Sequence, residues 1–113
     1  MIAILSFLHL ISVCLAGTIT DSTGKTITVN DPQRIITLAG NVTETVFALG
    51  VGDKVVAVDA SSLYPDEVNT KAKLGYHRNV SAEGILSLAP DLIIATDAAG
   101  PPPVIEQIRA AGI

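Results

Sequence analysis

The residues best suited to chemistry lie in one short string, Leu74-Gly75-Tyr76-His77-Arg78. Side chains two apart share a face of an extended segment, so the spacing expects Tyr76 and Arg78 to point together and His77 to point away, exposed. A phenolate is a hard oxygen ligand for ferric iron, and both the metal and a nearby guanidinium favour that charged form. Tyr76 with Arg78 is therefore a candidate anchor for Fe(III). An amphipathic tyrosine, its ring packed and its hydroxyl wet, fits the same spacing, and the string alone leaves both readings open. The imidazole of His77 is a common type of metal ligand, but the alternation sets it on the opposite face.

Other chemistries lack their residues. A dinucleotide fingerprint needs three spaced glycines between the first strand and its helix, and Leu38-Ala39-Gly40-Asn41-Val42-Thr43 offers one. Gly24-Lys25-Thr26 resembles the end of a phosphate loop, but Ile19 stands where that loop needs glycine and a strand pattern follows it. Cys14 is the only cysteine, and past residue 16 His77 is the only histidine, so a disulfide, a cysteine zinc site and a catalytic triad cannot be assembled. Seven Lys and Arg against eleven Asp and Glu, a net charge of −4, and no basic run argue against nucleic acid. Tyr64 before Pro65 reads as a surface turn, and Lys71 and Lys73 as solvated loop lysines.

The elements that must position the string are punctuated by turn and cap residues. Residues 18–29 alternate around Asp21-Ser22-Thr23-Gly24, a β-hairpin pattern. Ile35-Ile36-Thr37-Leu38 is a short apolar strand. Asn41 has capping-box-like spacing to Glu44, which starts a helix running to Leu49 with Val42, Val46, Phe47 and Leu49 inward and Gly50 as its stop. Val55-Val56-Ala57-Val58 is the next strand. Ser81 caps a helix with Glu83 in its first turn and Ile85, Leu86 and Leu88 inward, ended by Pro90. Strand Leu92-Ile93-Ile94-Ala95 follows, and Pro101-Pro102-Pro103 leads into a helix with Val104, Ile105 and Ile108 inward, stopped by Gly112. Apolar strands alternating with helices imply an α/β architecture with a parallel sheet covered on both sides. Residues 59–80 lack strong periodicity and leave the C-terminal end of a strand, where open α/β sheets bind ligands.

Residues 1–16, MIAILSFLHLISVCLA, contain thirteen apolar residues, and no charge precedes Asp21. They are too short for the roughly 20 residues that span a bilayer and end in small residues, as a secretory signal peptide does. The 97 residues beyond them suffice for one small core, expected to be a lobe over 17–113. Ile11-Ser12-Val13-Cys14 is a weak match to a lipoprotein cleavage box. Ile113 directly after Gly112 falls where another strand is expected, which suggests a sheet that continues in a longer reading frame.

Taken in order, these features resemble the periplasmic substrate-binding proteins that feed haem to bacterial ABC importers. The resemblance is carried by Pro32-Gln33-Arg34-Ile35-Ile36, Thr43-Glu44 with Ala48-Leu49-Gly50, Gly75-Tyr76-His77-Arg78, Ser81-Ala82-Glu83-Gly84-Ile85-Leu86-Ser87-Leu88, Pro90-Asp91-Leu92-Ile93 and Gly100-Pro101-Pro102-Pro103-Val104. It implies the Rossmann-like N-terminal lobe of a class III periplasmic binding protein, exported to the periplasm and not an enzyme. It implies that Tyr76 ligates ferric haem with Arg78 beside it, that the porphyrin lies near Gly40-Asn41, residues 59–64 and residues 97–101, including Gly100 and Pro101, and that Glu83 docks on the permease. An outer-membrane haem receptor would stand upstream. The family has a linking helix and a second lobe, which this sequence lacks. A siderophore or corrinoid binder of the same fold is the alternative, and a small α/β enzyme is a third.

Overall fold

A computed structural model describes residues 16–113. The signal segment expected over 1–16, with Cys14, lies outside the described residues except for Ala16. The described residues divide into two compact units, 16–31 and 32–113.

In the first unit β1 (Gly17–Thr20) pairs antiparallel with β2 (Thr26–Val29), as the alternation expects. Asp21 closes the turn. Its Oδ1 accepts from the Thr23 amide at 2.8 Å, the Thr23 hydroxyl at 2.6 Å and the Lys25 amide at 2.9 Å, while Gly24 supplies the left-handed φ of 81°.

The second unit is a four-stranded sheet in the order β5-β4-β3-β6, every neighbouring pair parallel. Its strands are β3 (Ile35–Leu38), β4 (Val55–Val58), β5 (Ala72–Lys73) and β6 (Leu92–Ala95). All four residues of β3 are buried, as a strand with neighbours on both sides and layers on both faces requires. Ile36, Leu38 and Ala57 pack with Ile85 of α2 (Ala82–Leu86) and Ile108 of α3 (Pro102–Ala110). Ile35, Val55 and Val58 pack with Val46 of α1 (Gly40–Ala48) and Val68 of the 3₁₀ turn Asp66–Thr70.

Two motif pieces far apart in sequence meet at the N-terminal ends of β3 and β6. The Asp91 carboxylate accepts from the amides of Gln33 and Arg34 at 2.7 and 2.9 Å, and the Arg34 guanidinium donates to the Leu88 carbonyl at 2.7 and 3.0 Å. This clasp fixes the register Ile35↔Leu92.

Three local expectations need correcting. Asn41 does not cap α1: the cap residue is Ala39, at φ 104°, and Asn41 lies inside the first turn. Leu49 is 74% exposed, because the helix turns Thr43 and Val46 inward; Val42 and Phe47 are half-buried. Finally, α2 ends at Leu86, ahead of Pro90, with Ala89 at φ 47°. Gly50, at φ 82°, stops α1 as expected: its amide donates to the Phe47 carbonyl and the Val51 amide to that of Val46. Ser81 caps α2, accepting from the Gly84 amide at 3.0 Å.

Candidate functional site

Parallel strands deliver all their C-terminal ends to one edge of the sheet, and here the residues that follow the four strands bind one another. Ala39 follows β3, Asp59 follows β4, Leu74 to His77 follow β5, and Thr96 to Gly100 follow β6. The Leu74 amide donates to the Val58 carbonyl at 3.0 Å and the Ala60 amide to the Gly75 carbonyl at 2.6 Å. The Gly100 amide donates to the His77 carbonyl at 3.0 Å, and the Val80 amide to the Gly100 carbonyl at 2.9 Å.

Asp59 is the centre of this edge, 0% exposed. Its Oδ1 accepts from the Ala39 amide at 3.0 Å and the Ser62 hydroxyl at 2.7 Å. Its Oδ2 accepts from the Ser61 hydroxyl at 2.7 Å and the His77 amide at 3.3 Å, and lies 2.9 Å from His77 Nδ1. Burial alone would raise its pKa, but hydrogen bonds from Ser61, Ser62, His77 and the Ala39 amide outweigh that cost and lower it to about 2. An ionised carboxylate only accepts. Nδ1 of His77 therefore carries the proton, and the Ser62 hydroxyl donates to Asp59. Ser62 Oγ, 2.6 Å from Thr43 Oγ1, then accepts from it, the Thr43 proton being shared with the Ala39 carbonyl at 3.2 Å, and Thr43, 2.8 Å from Thr37 Oγ1, accepts in turn. A buried row of hydroxyls thus runs from β3 through α1 to the loop after β4, its polarity set by one charge.

Tyr76 and Arg78 sit where this framework meets solvent. His77–Asn79 is a 3₁₀ turn with Tyr76 at its cap, not the extended segment the alternation assumed. His77 is accordingly not exposed on an opposite face: its side chain is 12% exposed, and its ring lies against that of Tyr76, centroids 4.5 Å apart at 59°. Tyr76 itself is 50% exposed. Arg78 is exposed, and its guanidinium has no ion pair among the described residues. Leu63 and Tyr64, in the loop after β4, are also exposed.

The remaining expected residues fall as follows. Asn41 is exposed on the first turn of α1, and Pro101 is exposed at the start of α3. Gly100 is buried and ties the His77 turn to the loop after β6. Glu83 is exposed on the first turn of α2. Gly40 must be glycine, because a Cβ there would lie 2.8 Å from the Ser61 carbonyl oxygen. A surface concavity of about 460 Å³, lined by Phe47, Gly50, Gly52, Asp53, Glu67, Thr70 and Lys71, contains none of these residues.

Asp59 is the residue the sequence reading passed over, naming it only as the start of a loop. Its signal was local: an Asp directly after a strand, followed by Ala60-Ser61-Ser62, the pattern of a carboxylate that gathers nearby amides and hydroxyls.

A family model described as periplasmic binding protein matches residues 35–113. The solved periplasmic haem-binding protein RhuT from Roseiflexus sp. RS-1, in its apo form, is 52% identical over 72% of this chain and 31% of its own, with a TM-score of 0.70. The vitamin B12-binding protein of Vibrio cholerae is 42% identical over 71% of this chain and 29% of its own length. An uncharacterised ABC transporter substrate-binding lipoprotein of Bacillus subtilis, YvrC, is 38% identical over 85% of this chain and 31% of its own. The chain thus spans about a third of the length of these relatives.

Proposed function

The chain belongs to the periplasmic binding protein family, and from that premise we propose that it is the N-terminal lobe of a protein that captures ferric haem in the periplasm and hands it to an ABC importer. The observation that carries this reading is the Tyr76 phenol. It is half-exposed beyond the strand tips, with the exposed guanidinium of Arg78 two residues on. A tyrosinate is a hard ligand that favours ferric haem, and a cation brought beside it would stabilise its charge. The haem-binding relative at 52% identity supports the same cargo.

Function here is capture and release, with no bond made or broken in the cargo. Asn41 and Pro101 lie on neighbouring exits of the same edge, where they would border the porphyrin, and buried Gly100 would hold that border in place. Glu83 would meet the permease, its carboxylate at a helix start where negative charge is favoured. Export by the leader at 1–16 and supply by an outer-membrane haem receptor complete the proposal.

A corrinoid is the second reading, favoured by the vitamin B12-binding relative. Titrating the whole protein with hemin, cyanocobalamin and a ferric siderophore separates the cargoes. Saturable uptake of hemin with a tyrosinate-type ferric spectrum is expected, and Tyr76→Phe is expected to lose that spectrum and weaken binding at least about tenfold. A Tyr76→Phe protein with unchanged spectrum and affinity overturns the assignment.

A further inference from the structure

Tyr76 carries the proposed function, and it sits half-exposed at the cap of a short turn. Its ring lies against the imidazole of His77, at 4.5 Å between centroids and tilted by 59°. His77, by contrast, is held at three points. Its amide and its Nδ1 both reach Asp59 Oδ2, at 3.3 and 2.9 Å, and its carbonyl accepts from the Gly100 amide at 3.0 Å. Asp59 is in turn fixed by Ala39, Ser61 and Ser62, which belong to two other strand exits. A line of constraint therefore runs from the buried carboxylate through the imidazole to the face of the phenol ring.

We infer that His77 is the positioning residue for Tyr76, its ring clamped through Nδ1–H by Asp59 so that the phenol is presented to the cargo in one orientation. This rests on the reading of Tyr76 as the iron ligand. A carboxylate-bound imidazole is also how proteins orient a histidine that ligates metal through its other nitrogen. Exposure favours the positioning role: the His77 side chain is only 12% exposed while Tyr76 is half-exposed, so an iron approaching from solvent meets the phenol first. A flat macrocycle needs its axial oxygen at a fixed angle, and an aromatic neighbour supplies that restraint where no hydrogen bond does.

The test uses the whole protein, loaded with hemin and read by the ferric charge-transfer bands, by electron paramagnetic resonance and by the rate of hemin loss to an apo-haem scavenger. His77→Ala removes the ring. His77→Phe keeps a ring without the Nδ1–H, and His77→Asn keeps a donor near the Nδ1 position. The alanine variant is expected to show heterogeneous tyrosinate signals and to lose hemin about tenfold faster, the scale on which lost outer-sphere partners act on a bound metal. Phenylalanine, which keeps the ring without the donor, and asparagine, which keeps a donor without the ring, should both fall between alanine and wild type. A merely structural His77 would lower the unfolding midpoint and leave the spectrum and loss rate as in wild type, which overturns the inference. So does an alanine variant that exchanges the tyrosinate signature for another ligand type, since His77 would then be bound to iron.

Should the alanine variant not fold, nitrogen-15 histidine spectra of the wild type decide: an Nδ1-protonated tautomer is expected, and an Nε2-protonated one overturns the clamp. Failure of the haem reading looks different. In that case wild type takes up no hemin, or Tyr76→Phe takes it up unchanged, whatever the His77 variants do.

Discussion

Asp59 joins the exits of β3, β4 and β5 through one carboxylate, so its charge should be visible in stability. Its pKa of about 2 lies below the ordinary 3.8. A group depressed on folding contributes stability in full above its unfolded value and loses it as the pH falls through the folded one. The contribution should therefore be intact at pH 5 and above and vanish between roughly pH 4 and pH 2. Its size is on the order of 1 to 2 kcal/mol, at about 1.4 kcal/mol per unit and discounted for solvent at the strand tips. Asp59→Asn should be less stable than wild type at pH 7 and should fall less steeply from pH 5 to pH 2, as measured by urea unfolding across that range. An unchanged slope would assign the acid limb to other carboxylates. Asp91 is the foremost of these: burial opposes its ionisation, but the amides of Gln33 and Arg34 accepted at its oxygens more than offset that and lower its pKa.

Among the elements, the starts of α1 and α2 show what sequence can and cannot carry. Ser81 caps α2 from the position directly before it, accepting from an amide three residues on, so the cap was legible in the string Ser81-Ala82-Glu83-Gly84. The start of α1 was not, because its partners come from about twenty residues away. The Ala39 amide donates to Asp59, and the Gly40 amide to Ser61 Oγ at 3.1 Å. Asn41 matched the local pattern but lost the position to a tertiary contact. Ser61→Ala is therefore expected to cost about 1 kcal/mol, the usual value of a cap, while Asn41→Ala stays within about 0.5 kcal/mol. Urea midpoints of the two variants check this, and the reverse order would restore the local cap. The same distinction explains the rest. β3, β4 and β6 were readable because β-branched apolar runs have few alternatives. The turn at His77 was not readable, since Asp59 and Gly100 impose it from two other exits, and that turn decides which side chains Tyr76 meets.

At the scale of the whole molecule, four parallel strands gather their loops on one edge, and in the proposed haem reading one edge would cover one face of a flat ligand. Tyr76 can supply an axial oxygen, and Leu63 and Tyr64 are exposed in the neighbouring loop. The net charge of −4 gives no general attraction for an anionic porphyrin, so in that reading contact area and the iron bond would have to provide the affinity. Covering the second face of a macrocycle buries at least as much as one large aromatic side chain, about 150 to 250 Å². At about 25 cal/mol per Å² that is worth roughly 4 to 6 kcal/mol before ordering costs are subtracted. A chain ending at Ile113 should accordingly bind hemin at least about 100-fold more weakly than a form with the length of its relatives, a gap of about 2.7 kcal/mol. Parallel hemin titrations of the two forms measure that gap. Equal affinities would mean that this edge alone encloses the cargo, which would require the exposed side chains around Tyr76 to close over both faces of the ring.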